Sequence, residues 1–367
     1  MSKRFDRRMI LPGNDVPDQF LVVGLIAQEE TLEADMTIPR RAIGLTPMET
    51  RRELIVRTAI LADELGYEMF VLPEGWGLDS TLVLTEIAMK TKRIRVMAGI
   101  LSIWGRTPGT IAMTAATLAD ISDGRFVLGL GASTRTLVEG FHGVKFRRPA
   151  KQLRAVTQSV RQILEGARAP LPPDIDARPL RLGQTPQPDV PIFIGAMGDQ
   201  AVKVAAELAD GWFPVYVPRD RYATWVPELQ KMRKRAGVMK TDLTVLACPG
   251  VVVSDSEPAA RQMAANNLAW YLCAMGDVYA KFVSSQGYGD EVKAVLAANP
   301  KPSPANGIIP DEAQVLLDQL TVYGPPDKVR EELRQWDAAV DIPVLGIAPG
   351  IAWEDIEAIL RTGAPAD

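Results

Sequence analysis

Hydrophobic and polar positions along the chain alternate in blocks of two lengths. Short, nearly continuous apolar runs, typical of strands buried in a parallel sheet, are followed by longer stretches with apolar residues at helical spacing. This rhythm begins at residue 20 and continues almost to the end of the 367-residue chain. It predicts eight strands, at residues 20–27, 69–72, 94–101, 125–130, 191–195, 212–217, 243–253 and 342–347.

Local signals predict where the helices begin. The segment Thr46-Pro-Met-Glu49 has the form of a capping box with proline at the first helical position. Gly66 predicts the end of that helix, just before the second strand. Thr107-Pro108 predicts the start of another helix, which runs to Ile121 and a turn.

Eight strand–helix units favour a (β/α)8 TIM barrel over a doubly wound sheet. A barrel of about 250 residues leaves room for additions in a chain of this length. Those additions are an N-terminal arm, a proline-rich loop at 168–191 and a helical insertion at about 264–310. We therefore predict one α/β domain that spans residues 1–367.

Composition excludes several classes of partner and chemistry. The net charge is -4 and basic residues form only short clusters, so nucleic acid is not expected as a partner. The chain has no apolar run of membrane-spanning length and no signal-like N-terminus, so we expect a cytoplasmic protein without membrane contact. Two cysteines and one histidine exclude a disulfide framework and the usual zinc sites, so no metal is predicted. Catalysis must then rest on carboxylates, hydroxyls, backbone groups or a bound cofactor.

In a (β/α)8 barrel the functional site lies at the carboxyl ends of the strands, and this rule selects the candidate residues. Each candidate lies at the carboxyl end of a predicted strand or shortly after it. They are Gln28, Glu29 and Glu30 after the first strand, Glu74 and Trp76 after the second, the segment from Gly99 to Trp104 at the third, Gly131 and Ala132 at the fourth, and Gly195, Ala196, Met197 and Gly198 at the fifth.

The glycine-flanked turn at residues 195–198 suits a phosphate group. Backbone N–H groups at a helix N-terminus and the positive end of the helix dipole both favour an anion there. The alternative is an ordinary strand–helix turn in which Asp199 is the N-cap and satisfies those donors itself. Gly129-Leu-Gly131 lacks the third glycine of a dinucleotide-binding fingerprint, so a Rossmann site is not predicted.

Other candidates each have a simpler alternative. A carboxylate in an aromatic-lined pocket acts as a general acid or base, so Glu74 is a candidate for that role. A loop glutamate that faces water is the more frequent case and is the alternative. Trp76 and Trp104 are placed to stack on a flat substrate ring, or simply to pack in the core. His142 is placed to reach a substrate, or to pack within its loop.

Three segments resemble the luciferase-like oxidoreductase superfamily. They are residues 106–132 (RTPGTIAMTAATLADISDGRFVLGLGA), 191–212 (PIFIGAMGDQAVKVAAELADGW) and 323–330 (YGPPDKVR). The similarity extends over most of residues 20–365. The segments 270–279 and 287–292 are similar to the branch that uses the deazaflavin coenzyme F420, in particular to methylenetetrahydromethanopterin reductase and its bacterial relatives.

This resemblance implies a set of coenzyme-binding residues. A non-prolyl cis peptide at Gly99–Ile100 is expected to form a bulge behind the deazaflavin ring, and the turn at 195–198 is expected to hold the coenzyme phosphate. The residues implied in coenzyme binding are Gln28, Glu74, Ala98, Gly99, Ile100, Gly131, Ala132, Gly195, Ala196, Met197 and Gly198.

The resemblance also narrows the chemistry. Sugar-phosphate and alcohol dehydrogenases of this branch carry a catalytic histidine at the end of strand two, where this chain has Glu74. Glu74 is therefore the first candidate for the catalytic acid or base, and Glu29 or Glu30 is the second. Trp76, Trp104 and His142 are the candidates for contacts with a small-molecule substrate.

The function implied is an F420-dependent oxidoreductase that moves a hydride between the deazaflavin and an organic substrate. The alternatives are an FMN-dependent monooxygenase of the same fold, and a flavin- or deazaflavin-binding protein without catalysis. The FMN alternative is weakened because many FMN members use a pocket histidine and this chain has only His142. A homodimer is expected from the resemblance alone.

Overall fold

A computed structural model describes residues 38–239 and 242–365 of the chain. The predicted strand at 20–27, together with Gln28, Glu29 and Glu30, lies outside these residues. The strands in the described part are β1 Ala42–Leu45, β2 Met69–Leu72, β3 Arg95–Ser102, β4 Phe126–Gly131, β5 Ile192–Gly195, β6 Gly211–Trp212, β7 Thr244–Ala247, β8 Gly250–Val253, β9 Thr321–Gly324 and β10 Ile342–Ile347.

Helices follow most of these strands. They are α1 Arg52–Glu64, α2 Ser80–Lys90, α3 Pro108–Ile121, α4 Arg135–Gly140, α5 Pro149–Leu164, α6 Asp199–Leu208, α7 Tyr222–Arg235, α8 Glu257–Ala274, α9 Asp277–Val283, α10 Gly289–Ala298, α11 Gln314–Leu320, α12 Pro326–Asp337 and α13 Trp353–Thr362. Within the described ranges, no helix combines the length and the apolar character that crossing a membrane requires.

Eight parallel strands close into a barrel. The order β1 to β7 followed by β10 is continuous, and β1 pairs with both β2 and β10. The predicted (β/α)8 barrel is therefore confirmed. Its interior is filled by side chains that include Met69, Met97, Phe193 and Leu246, and a larger apolar layer lies between the strands and the helices.

The first strand of the barrel is not the predicted one. Ala42–Leu45 takes that place, with Ala42 opposite Met69 of β2 and opposite Val344 of β10. This strand has only four residues and contains Gly44, where a side chain would approach Val344 Cγ1 to 2.8 Å. A strand of four residues gives a weaker sequence signal than the eight-residue run at 20–27, in which every residue except Gly24 is apolar.

The predicted capping box at Thr46–Glu49 is wrong, because α1 begins only at Arg52. The Glu49 carboxylate accepts hydrogen bonds from the backbone N–H groups of Arg51 and Gly350, at 2.9 and 3.2 Å. Glu49 thus joins the loop after β1 to the loop after β10 at the carboxyl face of the barrel. The Glu49 carboxylate is therefore used in a tertiary contact and not in a local helix cap.

The predicted sixth and seventh strands differ from the structure in length. The sixth is reduced to Gly211–Trp212, and the seventh is divided into β7 and β8 by Cys248 and Pro249. A proline removes a ladder hydrogen bond, so a continuous strand through this position is disfavoured. β8 leaves the barrel and pairs with β9 along its whole length.

The helical insertion is longer than the predicted 264–310. Helices α8 to α11, residues 257–320, lie between β8 and β9 and surround a separate apolar cluster that includes Leu268, Leu272 and Leu317. The predicted proline-rich loop at 168–191 contains neither a helix nor a strand and joins α5 to β5.

Strand β3 contains a bulge at its carboxyl end. Its register with β4 shifts between Ala98 and Leu101, and the Gly99–Ile100 peptide is cis, at the position that the family resemblance implied. Glycine is needed here for space, because a Cβ at Gly99 would lie 2.1 Å from Val71 Cγ1. Neighbouring Gly129 is equally constrained, because a Cβ added there would lie 2.0 Å from the carbonyl oxygen of Ala98.

The crowding at Gly99 predicts a coupled stability effect. Gly99→Ala is expected to lower the free energy of unfolding by about 1–3 kcal/mol, because the new methyl group overlaps Val71. Val71→Ala in the same chain removes the overlapping atom, so the double variant should be less destabilised than the sum of the two single changes. Urea unfolding followed by circular dichroism measures all three.

Gly183→Ala is the matched control, since a Cβ there meets no atom within 4 Å. It should change the unfolding free energy little. If the effects of Gly99→Ala and Val71→Ala on the unfolding free energy simply add in the double variant, the predicted contact is contradicted.

Candidate active site

The carboxyl ends of β2 to β5 bring most of the predicted coenzyme residues to one side of the barrel mouth. Parallel strands end at the same face, so Glu74, Ile100, Gly131 and Gly195 become neighbours although they are far apart in sequence. The backbone N–H of Glu74 donates to the carbonyl oxygen of Ile100 at 3.3 Å. Ala98, by contrast, is fully buried in the layer between strands and helices.

Ile100 forms the floor of this region. A Cβ at Gly131 would lie 2.7 Å from Ile100 Cδ1, and a Cβ at Gly195 would lie 3.0 Å from Ile100 Cγ2. The Ile100 side chain therefore packs directly on the backbone of β4 and β5, and it also contacts the apolar interior of the barrel. Any larger residue at Gly131 would force Ile100 to move.

The turn at 195–198 leads straight into α6, as predicted. Gly198, and not Asp199, is the N-cap of the helix, and a Cβ on Gly198 would meet no atom within 4 Å. The first N–H groups of a helix have no intrahelical acceptor, so this open end offers free donors. The Asp199 carboxylate is exposed and makes no hydrogen bond to any residue that the structure describes, so it does not satisfy those donors.

Glu74 is held by a cation that the sequence alone did not identify. Arg106 Nη1 donates to Glu74 Oε2 at 2.5 Å, and Arg106 Nη2 lies 3.1 Å from Asp79 Oδ1. The Glu74 and Arg106 side chains are only 8% and 15% exposed, so this pair is shielded from solvent. The other carboxylate oxygen of Glu74, Oε1, has no partner within the described ranges.

Asp79 completes this ion cluster. It caps α2 by accepting from the backbone N–H of Thr81 at 2.9 Å. Burial alone would raise the pKa of Asp79, but the Thr81 hydrogen bonds and the charge of Arg106 hold that pKa below its usual value. Arg106 therefore connects the predicted acid/base residue to the start of a helix, and this fixes the direction of the Glu74 side chain.

The three predicted substrate residues lie in different environments. Trp104 donates from Nε1 to the carbonyl oxygen of Ala132 at 2.8 Å and packs on Phe146. His142 lies against Gly105, and its Nε2 is buried without a partner among the described residues. Trp76 is 51% exposed. Trp104 thus joins the loops after β3 and β4, and no two of the three side chains are in ring contact.

The described ranges contain no group of three or more histidine, cysteine, aspartate or glutamate side chains that is able to hold a metal ion. The charged groups that contact Glu74 are those of Arg106, which in turn contacts Asp79. The site is therefore built from backbone donors, an apolar floor and the shielded Glu74–Arg106 ion pair.

A family model for luciferase-like monooxygenases matches residues 36–341. The chain belongs to the luciferase-like family. Within this family it is 32% identical, over 322 residues, to a Mycobacterium tuberculosis protein named as a coenzyme F420-dependent oxidoreductase; the match covers 81% of this chain and 90% of the relative.

Two further proteins are similar to this chain. The 5,10-methylenetetrahydromethanopterin reductase of Archaeoglobus fulgidus is 24% identical over 293 residues, which cover 79% of this chain and 87% of that protein. The solved F420-dependent tetrahydromethanopterin reductase of Methanopyrus kandleri superposes with a TM-score of 0.67 at 20% identity, covering 88% of this chain and 98% of that one. The superposition confirms the fold.

The residues present fit a phosphate-bearing, planar coenzyme. The open N-terminus of α6, capped by Gly198, offers backbone donors to a phosphate. The adjacent floor of Ile100 between Gly131 and Gly195 offers an apolar surface to a flat ring. Both features lie at the carboxyl ends of neighbouring strands, so one extended molecule is able to contact both.

Because the Asp199 carboxylate is exposed beside the open end of α6, we expect its removal to increase the affinity for the coenzyme. In Asp199→Ala, removal of a negative charge from the first turn of α6 should tighten the binding of a phosphate-bearing coenzyme about twofold to fivefold, the size of a charge effect at a helix terminus. Quenching of coenzyme fluorescence gives the dissociation constant.

Asp189→Ala is the control, because Asp189 is also exposed but lies before β5, at the opposite end of that strand. It should leave the dissociation constant unchanged. Weaker binding by Asp199→Ala would show that the carboxylate contacts the coenzyme and would contradict the open-turn account.

Proposed function

We propose that this protein is an F420-dependent oxidoreductase, which transfers a hydride between the deazaflavin of coenzyme F420 and an organic substrate. The observation that carries the proposal is that an apolar floor and an open helix N-terminus lie next to each other at the ends of adjacent strands. The Ile100 floor, set by Gly131 and Gly195, is followed within three residues by the open N-terminus of α6. The 32% identical relative that bears the name of an F420-dependent enzyme supports the choice of coenzyme.

The residues of this chain supply binding and orientation. When bound, coenzyme F420 supplies the redox chemistry, and the protein supplies position and electrostatics. Gly198 and the first turn of α6 would hold the phosphate, and Ile100 would pack on the ring. Trp104, fixed by its hydrogen bond to Ala132, keeps the loops after β3 and β4 together beside the ring.

Glu74 is the residue of this chain that handles the proton which accompanies the hydride. Arg106 occupies only one of its carboxylate oxygens, so Oε1 remains able to accept or donate a proton at the barrel mouth. The ion pair also holds the Glu74 carboxyl group in one orientation. This orientation therefore does not depend on a hydrogen bond from the substrate. Arg106 is therefore a positioning residue for Glu74.

The FMN-dependent monooxygenase alternative is supported by the description of the family model. A planar, phosphate-bearing flavin would also fit the floor and the open helix end. The chain has one histidine, His142, which packs against Gly105 in a loop. Because many FMN members of the family use a pocket histidine, a single loop histidine favours the deazaflavin over FMN.

Coenzyme binding tests the proposal directly. Coenzyme F420 and FMN, titrated separately and followed by fluorescence quenching, should give a micromolar dissociation constant for F420 and much weaker binding of FMN. Tight FMN binding without F420 binding would contradict the proposal and favour the monooxygenase. Tight F420 binding without oxidation of the reduced coenzyme by any of a panel of aldehydes, ketones and enones would favour a binding protein without catalysis.

Glu74→Gln separates binding from chemistry. The amide keeps the size of the side chain but cannot take up a proton at neutral pH, so the F420 dissociation constant should change little while turnover falls about 100-fold or more. Glu165→Gln, an exposed glutamate after α5, is the matched control and should retain full turnover. Unchanged turnover in Glu74→Gln would remove this residue from the mechanism.

A further inference from the structure

A strongly basic segment, residues 145–154 (KFRRPAKQLR), extends from the loop after α4 into α5. It carries five cationic side chains and no acidic one, in a chain whose net charge is -4. Among the described residues, only Arg154 of these five has an ion-pair partner, which is Glu207 of α6. The other four are exposed and have no ion-pair partner in that part of the chain. They are Lys145, Arg147, Arg148 and Lys151, and together they make up the basic patch.

The basic patch surrounds the N-terminus of α5, which is the unfavourable end of a helix for a cation. Arg148 is the N-cap and its side chain makes no capping hydrogen bond, while Lys151 lies in the first turn. That turn contains no acidic residue. Because the helix dipole is positive at this end, cations here weaken the helix instead of stabilising it. The described contacts therefore give the patch no role in folding, whereas a bound anion would relieve the repulsion.

Two ion pairs place the basic patch at the same end of the barrel as the proposed phosphate site. Arg154 pairs with Glu207 of α6. Further along α5, Arg161 donates to Asp210, just after α6, at 2.5 Å. Since the partners occur in the same order along both segments, α5 and α6 run side by side in the same direction. The N-terminus of α5 therefore lies at the same end as Gly198, the open N-cap of α6.

Phe146 attaches the basic segment to the loop after β3. Its ring centroid lies 5.7 Å from that of Trp104, whose Nε1 donates to the carbonyl oxygen of Ala132 after β4. Lys145 and Arg147, on either side of Phe146, are thus held near the carboxyl ends of β3 and β4. Strand β4 pairs directly with β5, which leads into the proposed phosphate site. The patch and the phosphate site are therefore neighbours at the barrel mouth.

We propose that the basic patch binds the oligoglutamate tail of coenzyme F420. The phosphate of this coenzyme is a diester, from which a lactyl group and a chain of γ-linked glutamates continue away from the deazaflavin. Each glutamate carries a carboxylate, so a tail that runs from the phosphate at α6 towards α5 meets side chains of opposite charge. FMN ends at its phosphate and has no group that would reach the patch. This assignment rests on the proposed function, because the phosphate at α6 sets where the tail begins.

The length of the tail is the variable that tests the proposal. Coenzyme F420 with several glutamates, and the same molecule without glutamates, are titrated separately against the full chain, and fluorescence quenching gives both dissociation constants. At low salt the tailed form should bind about tenfold more tightly, the combined effect of a few exposed ion pairs. In about 0.5 M salt, which screens exposed charges, the two constants should differ less than about twofold. Equal binding of the two forms at low salt would overturn the proposal.

A double variant tests the location of the tail. Arg147→Gln with Lys151→Gln removes two charges of the basic patch and should lose most of the preference for the tailed form. Binding of the tailless form should stay the same, because neither residue contacts the phosphate site. The melting temperature should not fall, since both cations lie at the unfavourable end of α5. A preference for the tailed form that survives these changes would overturn the assignment.

Lys234→Gln with Arg235→Gln is the matched control, because it removes the same two types of charge from the last turn of α7, where both residues are exposed. Arg233 of the same turn donates to the carbonyl oxygen of Ala209, just after α6, at 3.0 Å. The control charges therefore lie at the other end of α6 from Gly198. The control should keep the preference of about tenfold. An equal loss of preference in the control would overturn the assignment to the basic patch.

The same titrations separate the tail site from the proposed function. Binding of the tailed and tailless forms with equal affinity would overturn only the tail site and leave the choice of coenzyme standing. Failure of both forms to bind would overturn the proposed function and the tail site with it.

Discussion

Close approach of backbones at the carboxyl end of the barrel is the constraint on which the site depends. At Gly99, Gly129 and Gly131, a single added carbon would lie between 2.0 and 2.7 Å from a neighbouring strand or side chain. Because these positions lack side chains, β3 is able to bulge and Ile100 is able to turn inward over β4 and β5. The apolar floor therefore forms because the glycines leave room for the Ile100 side chain. It does not depend on any charged or polar group.

The charged side chains beside the floor differ in exposure. Glu74 and Arg106, at the ends of β2 and β3, form an ion pair that is shielded from solvent, whereas the Asp79 side chain on the other side of Arg106 is 44% exposed. A reaction that moves a proton to or from a carboxyl group would use the shielded pair.

Strong apolar runs predicted β2 exactly and β3 to β5 within one residue at each end, because buried parallel strands are nearly all hydrophobic. β1 could not be predicted in this way, since four residues that include Gly44 carry little pattern. The Glu74–Arg106 pair joins positions 32 residues apart, and the ring contacts of Tyr216 with Tyr271 and Tyr279 join the segment after β6 to two inserted helices. Such contacts arise from the tertiary fold, and no local spacing encodes them.

A crystal structure of the protein with coenzyme F420 tests the central claim most directly. The account predicts that the deazaflavin ring lies on Ile100 and that the phosphate contacts the backbone N–H groups at Gly198 and the start of α6. A coenzyme bound elsewhere, or bound with its phosphate away from α6, would contradict it.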